Sequence, residues 1–189
     1  QRSDQAVTAA LTVHAEGKDS AARQALGVRF ERHEYGHTAI AARLTAADAH
    51  QGVAYQWFRA PDVLALLPFD RPRSQRSFAL VWSLPAERAT ALIQMDVPAF
   101  EAELRGACAD LPGGLCLASE RASWPLAIAS ADRVCGAGWV LVGDAAHVVH
   151  PLAGQGLNLG LGDVQVLADT LAGREVWRPL GDERRGVER

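Results

Sequence analysis

The sequence predicts an α/β chain of mixed α+β character, with a central antiparallel sheet set between two stretches of strand, turn and helix. Three observations carry this. Residues 138–142 (GWVLV) form an apolar run of the kind found in a buried parallel strand, and the run ends in Gly143-Asp144 ahead of a glycine-rich helix opening. Between Val28 and Leu84 the segments VRFERHEYG, TAIAARLTA, GVAYQWFRA, DVLALLPF and RSFALVWSLP recur at intervals of roughly 8 to 12 residues, separated by Gly, Pro, Asp and Arg. Near the start, LTVHA (11–15) is β-prone, and Ser20 stands before AARQALG, whose alanines and leucine favour a short helix that Gly27 stops.

The remaining elements follow in order. Phe30, Tyr55, Trp57 and Phe78 are expected to supply large side chains to one face of the sheet. Pro85 closes the sheet region. ERATALIQMDVPAFEAELRGACADLP then alternates apolar and charged residues at helical spacing, which predicts two helices broken near Pro98 with Leu92, Phe100, Leu104 and Cys108 facing inward. A strand over SWPLAIAS leads to the buried GWVLV strand, and a last helix is expected from Gly154 to Gly173.

Composition narrows the function. Of 189 residues, 49% are hydrophobic and 22% are charged, which describes an ordinary globular chain. The formal charge of −3 comes without a basic stripe, so nucleic acid is not an expected partner. No run reaches the roughly 18 apolar residues of a spanning helix. Three widely spaced cysteines, Cys108, Cys116 and Cys135, with no CxxC pair, predict reduced thiols in a cytosolic protein. Neither GxSxG nor GxxxxGK[ST] occurs, which argues against serine hydrolases and P-loop enzymes. His147 and His150 could be imagined as metal ligands beside Asp144, but no further ligand has suitable spacing and no metal is expected. Arg71, Arg73 and Arg76 read as a solvated basic turn. The sole methionine is Met95, so a chain starting at Gln1 is expected to be part of a longer one.

The informative stretch is GWVLVGDAAHVVHPLAGQGLNLGLGD. A carboxylate at Asp144, at the carboxyl edge of a sheet, suits a hydroxyl-rich ligand. Pro151 and then Gly154-Gln155-Gly156 open the next helix with little side-chain bulk, offering unpaired N–H groups and a positive dipole end to an electron-rich ligand. An isolated GxG would be read as a tight structural turn. The fixed order of GDAAH, HP and GQGLNLG is far more specific.

This segment resembles the second FAD-binding motif of the class A flavoprotein aromatic hydroxylases, most closely the branch that hydroxylates polyprenylphenols in ubiquinone biosynthesis. The likeness runs from Gly138 to Asp163, and WRPLGDERRGVER (177–189) looks like that branch's continuation. HAEGKDSAAR resembles the family's Asp-Gly element, with Gly17, Ser20 and Arg23 in place and Glu16 where the family has aspartate, and SWPL (123–126) resembles a further short element.

The resemblance implies a p-hydroxybenzoate-hydroxylase-like fold. Residues 1–28 and 121–189 would be parts of the FAD-binding domain, and 29–120 the substrate domain with its antiparallel sheet. Gly17, Arg23, Gly143, Asp144, Pro151, Gly154, Gln155, Gly156, Leu157 and Asn158 would contact the cofactor, Asp144 through ribityl or neighbouring hydroxyls and Pro151 to Asn158 along the pyrimidine side of the flavin. The sheet from Val28 to Leu84 would wall the substrate. The family's GxGxxG turn is absent from this sequence, so the chain alone is expected to lack FAD and to be inactive.

For the intact protein the resemblance implies FAD- and NAD(P)H-dependent hydroxylation of a hydrophobic phenol through a flavin C4a-hydroperoxide. It would be cytoplasmic, peripheral to the inner membrane or within a multiprotein biosynthetic complex. No catalytic acid or base is singled out, and the oligomeric state is left open. The alternatives are another enzyme of the flavin fold, such as an epoxidase, halogenase or prenyl reductase, or a non-catalytic truncated scaffold.

Overall fold

The computed structural model describes residues 8–108, 111, 114–150 and 155–174. Its described residues fall into two compact units, one within Gln1–His33 and Ala127–Arg189 and the other within Glu34–Leu126.

In the first unit, β1 (Thr12–His14) runs parallel to β9 (Trp139–Leu141), which in turn pairs antiparallel with β8 (Cys135–Gly136). Helix α1 (Ala21–Ala25) is capped by Ser20, whose hydroxyl accepts from the Arg23 amide, and Gly27 ends the segment at φ +65°. After β9 a single 3-10 turn spans Gly143–Ala145, followed by β10 (His147–Val148), which pairs with the end of β7 (Ala122–Ala131), and by α4 (Gln155–Ala172). Val28, Leu141 and Ala146 form this unit's buried cluster.

The second unit is built on β2 (Phe30–Ala46), β3 (Tyr55–Arg59), β4 (Asp62–Phe69) and β5 (Ser77–Pro85), paired antiparallel in the order β2, β5, β4, β3, with β6 (Leu115–Leu117) on β2. Helices α2 (Ala86–Gln94) and α3 (Val97–Ala107) follow. Strand alternation divides the sheet into two faces. Ile40, Leu44, Leu64, Leu66, Phe78, Leu80 and Trp82 lie in one cluster with Leu92, Phe100, Leu104 and Cys108 of the helical segment, all buried. Each such large side chain, fully buried, contributes about 1.5–3 kcal/mol. The opposite face carries Val63, Ala65, Leu67 and Phe69 of β4 beside Ala79 and Val81 of β5, half-buried or exposed.

Two local expectations change, and the expected break between two helices near Pro98 is placed more closely. VRFERHEYG and TAIAARLTA are one continuous strand, because Gly36 takes φ +70° inside it instead of ending it. Pro98 sits in the first turn of α3, where its missing N–H costs nothing. The break falls at Met95-Asp96, and Asp96 caps α3 by accepting from the Ala99 amide at 2.9 Å. Tyr55, Trp57 and Phe78 do share a face, Tyr55 stacking on Trp57 at 5.9 Å, but Phe30 belongs to the first unit, where the Arg23 guanidinium lies 3.6 Å from its ring centre.

Candidate functional site

The site is assembled at the carboxyl ends of two neighbouring parallel strands. His14 of β1 is opposite Leu141 of β9, and the His14 carbonyl accepts from the Val142 amide at 3.1 Å. The loop that follows β1 carries Gly17, and the turn that follows β9 carries Gly143 and Asp144. Ligands of open α/β sheets bind at such strand ends.

Each loop is shaped by its own residues. Gly17 (φ +81°) and Gly143 (φ +61°) occupy the left-handed region that β-carbon-bearing residues avoid. The Gly17 carbonyl accepts from the Ser20 amide. Glu16 accepts from the Ser20 hydroxyl and from the Ala22 amide at 3.0 Å. These bonds, the Ser20 hydroxyl first, hold its carboxyl below the usual carboxylate range. The extra methylene relative to aspartate is thus used to cap α1.

Arg23 ties the two loops together. Its guanidinium donates to the Ala145 carbonyl at 2.9 Å and to the Lys18 carbonyl at 2.6 Å, and the residue is 3% exposed. Its Nε is buried without a hydrogen-bond partner.

Asp144, by contrast, is exposed and its carboxylate makes no hydrogen bond among the described residues. It is presented outward at the strand end, so its acceptors are available to a ligand. Gln155, Gly156, Leu157 and Asn158 form the first turn of α4, where amides have no intrahelical acceptor. Gln155, Leu157 and Asn158 are exposed, and a β-carbon placed on Gly156 would meet nothing among the described residues nearer than Val149 Cγ2 at 3.9 Å. Pro151 and Gly154 lie outside the described residues.

Sequence reasoning passed over the residue that joins α4 to the turn. Asp163 accepts from the Gly143 amide at 2.7 Å and is 2.8 Å from His147 Nε2. Close backbone approach accompanies it: a β-carbon on Gly160 would lie 3.3 Å from the Gly143 α-carbon. Gly160 and Gly162 inside a helix, each costing about 1 kcal/mol against alanine, were the available signal, and the structure accounts for Gly160. His147 is thereby a partner of Asp163. Among the described residues no cluster of three or more His, Cys, Asp or Glu could hold a metal ion.

The residues present fit a flavin dinucleotide: an outward acceptor with no hydrogen-bond partner among the described residues, a helix start with a glycine in its first turn, and two loops bracketed at the strand ends. Fold and site together define part of a flavin-binding scaffold. The family model described as "FAD binding domain" matches residues 1–177, and the chain belongs to that family.

The similar proteins agree. The ubiquinone hydroxylase UbiL of Rhodospirillum rubrum is 36% identical over 167 residues, covering 88% of this chain and 38% of that protein. The mitochondrial ubiquinone biosynthesis monooxygenase COQ6 of Xenopus tropicalis is 32% identical over 196 residues, covering 86% of this chain and 41% of that protein. This chain therefore spans about two fifths of each. Among solved structures, PqsL of Pseudomonas aeruginosa, a probable FAD-dependent monooxygenase, superposes with a TM-score of 0.67 at 25% identity over 86% of this chain and 46% of its own. The flavin-dependent halogenase CmlS, at 16% identity and a TM-score of 0.65 over 85% of this chain and 30% of its own, shares the fold. The p-hydroxybenzoate-hydroxylase-like fold expected from the sequence is the fold observed.

Proposed function

We propose that this chain is part of an FAD- and NAD(P)H-dependent monooxygenase that hydroxylates a polyprenylated phenol in ubiquinone biosynthesis. The observation that carries the flavin assignment is Asp144, an exposed carboxylate with no hydrogen bond among the described residues, at the end of β9 and beside the first turn of α4. Names of relatives supply the rest: UbiL is a ubiquinone hydroxylase and COQ6 a ubiquinone biosynthesis monooxygenase, whereas the halogenase shares only the fold. When bound, FAD would take a hydride from the nicotinamide and activate dioxygen, so that the phenol gains one oxygen atom and the other leaves as water.

The chain's own residues bind and orient. Asp144 accepts hydrogen bonds from ribityl or neighbouring hydroxyls. Gly143 and Gly17 give the two loops the backbone angles that bring them to the strand ends, and Arg23 contributes by holding those loops together. Gln155 to Asn158 direct first-turn amides at the electron-rich edge of the ring system, the positive helix end favouring negative charge there. Pro151 and Gly154 are assigned to the same edge from the sequence motif.

The uncovered sheet face of the second unit supports a hydrophobic substrate. Phe58 is 67% exposed, Leu67 43% and Phe69 37%, so these side chains do more than fill a core. No helix among the described residues is long and apolar enough to cross a membrane. A prenylated substrate would instead be met at a membrane surface, or within a multiprotein biosynthetic complex.

The test is turnover by the full-length protein with FAD, NADH or NADPH, dioxygen and a matched pair of phenols, one prenylated and one short and polar, with products read by mass spectrometry. Hydroxylation favouring the prenylated phenol is expected. Preference for the polar phenol in a protein that fractionates away from membranes would refute the substrate assignment, and an absence of flavin would refute the enzyme class.

A further inference from the structure

The structure assigns Asp163 a part in cofactor binding that it plays without touching the cofactor: we infer that Asp163 is the positioning residue of the Gly143-Asp144 turn. The inference rests on the flavin reading of Asp144 given above.

Asp163 lies in the third turn of α4, well beyond the first-turn amides. Its carboxylate takes two partners from the other side of the site. The Gly143 amide donates at 2.7 Å, and His147 Nε2 lies 2.8 Å from the same oxygen and 3.1 Å from the other. The two partners flank Asp144, one residue before it and three after. A single helix side chain therefore pins both sides of the segment that presents the Asp144 carboxylate.

The need for such a pin follows from the turn. Gly143 sits at φ +61°, outside the strand ladder, and among the described residues its amide donates to Asp163. An amide left without an acceptor there would seek water or another conformation, and either would move Asp144. His147 has entered a two-residue strand by that point, paired opposite Ser130. Between these anchors Asp144 has no hydrogen bond of its own among the described residues. Its direction is set by its neighbours, which Asp163 holds at Gly143 and His147 and Arg23 holds at Ala145. Gly160, one helical turn before Asp163, lets α4 approach closely enough for these bonds to form.

The experiment uses the full-length protein. Hydrogen exchange of the Gly143 amide is followed in the FAD-free form, and the FAD dissociation constant is measured by fluorescence titration, each with the melting temperature. Asp163→Ala is expected to speed Gly143 exchange and to raise the FAD dissociation constant by about tenfold or more, the effect of leaving a half-buried amide without its charged acceptor. Asp163→Asn retains an acceptor for Gly143 and a donor for a neutral His147, and is expected to restore most of the affinity.

Val28→Ala destabilises the same unit from its core, where Val28 packs with Leu141 and Ala146, while keeping both bonds of Asp163, and is expected to weaken FAD binding less than Asp163→Ala does. Unaltered Gly143 exchange or unaltered affinity in Asp163→Ala would overturn the inference. So would equal FAD loss in Val28→Ala at a matched melting temperature, or no recovery in Asp163→Asn. If Asp163→Ala does not fold, His147→Phe is read the same way: weakened FAD binding is expected, and unchanged affinity overturns the inference. Wild-type protein that binds no FAD would overturn the flavin reading, and this inference with it. Binding by the wild type together with unchanged affinity in Asp163→Ala overturns the inference alone.

Discussion

Arg23 and Ala145 stand 122 residues apart in the chain and are joined by a hydrogen bond of 2.9 Å from the guanidinium to the carbonyl. The same guanidinium reaches the Lys18 carbonyl, so one buried side chain brackets the loop after β1 and the turn after β9. The phenyl ring of Phe30 lies against its flat face.

Replacing Arg23 by methionine keeps the stem and removes the fork. The buried Ala145 carbonyl and the part-buried Lys18 carbonyl then lose charged donors, at a cost of about 3 kcal/mol. Arg23→Lys should recover little, because an ammonium cannot span both carbonyls as a planar guanidinium does. Thermal unfolding reads the effect. A melting temperature unmoved by either change would show that the bracket contributes nothing to the fold.

Asp144→Ala should weaken FAD binding in the full-length protein by about 1.5–3 kcal/mol, the usual contribution of a hydrogen bond to a charged group. Because Asp144 is exposed and its carboxylate makes no hydrogen bond among the described residues, its loss should leave the melting temperature of the FAD-free protein nearly unchanged. Flavin titration against the wild type decides it, and equal affinities would remove Asp144 from the site.

Gly156→Val separates folding from function in a different way. Among the described residues, a β-carbon at Gly156 meets only Val149 Cγ2, at ordinary contact distance, so they accommodate it. A branched side chain there would instead occupy space that a flavin edge needs, and would keep the first-turn amides of α4 from approaching it. Loss of a comparable preorganised donor costs about a hundredfold or more in rate. Stopped-flow flavin reduction and reoxidation, with stability recorded alongside, should show slow chemistry in a well-folded protein. Normal kinetics would dissociate this helix start from the flavin.

Cys108 and Cys116 should differ sharply toward thiol reagents. Burial pushes the Cys108 thiol from its ordinary 9.0 up to about 12, whereas Cys116 is exposed. At mildly alkaline pH, Cys116 should label quickly and Cys108 only on unfolding. The sign of the stability effect follows. The unfolded chain releases the Cys108 proton from about pH 9 while the folded chain keeps it to about 12, so stability is intact below 9 and is lost as pH rises through that window. Cys108→Ala should flatten this alkaline limb, and an unchanged pH profile would show that another group governs it.

Local order was written plainly along this chain. The Ser20 cap, the two amphipathic helices after Pro85 and the inward positions Leu92, Phe100, Leu104 and Cys108 could be read from residue types and spacing, since capping and periodicity act over a few residues. The GDAAH and GQGLNLG segments placed Asp144 and Gly156 at a strand end and a helix start for the same reason. Long-range partnership was beyond reach. Nothing in the spacing of Arg23, Ala145, Gly143, Asp163 and His147 says that they meet, because their contacts depend on which strands pair and how closely α4 approaches the turn. Folding also decided that Gly36 continues a strand, since φ +70° can be carried within a ladder as readily as in a turn. The partner of a side chain is chosen by packing among distant elements, and that choice set Asp144 outward while drawing Asp163 into the site.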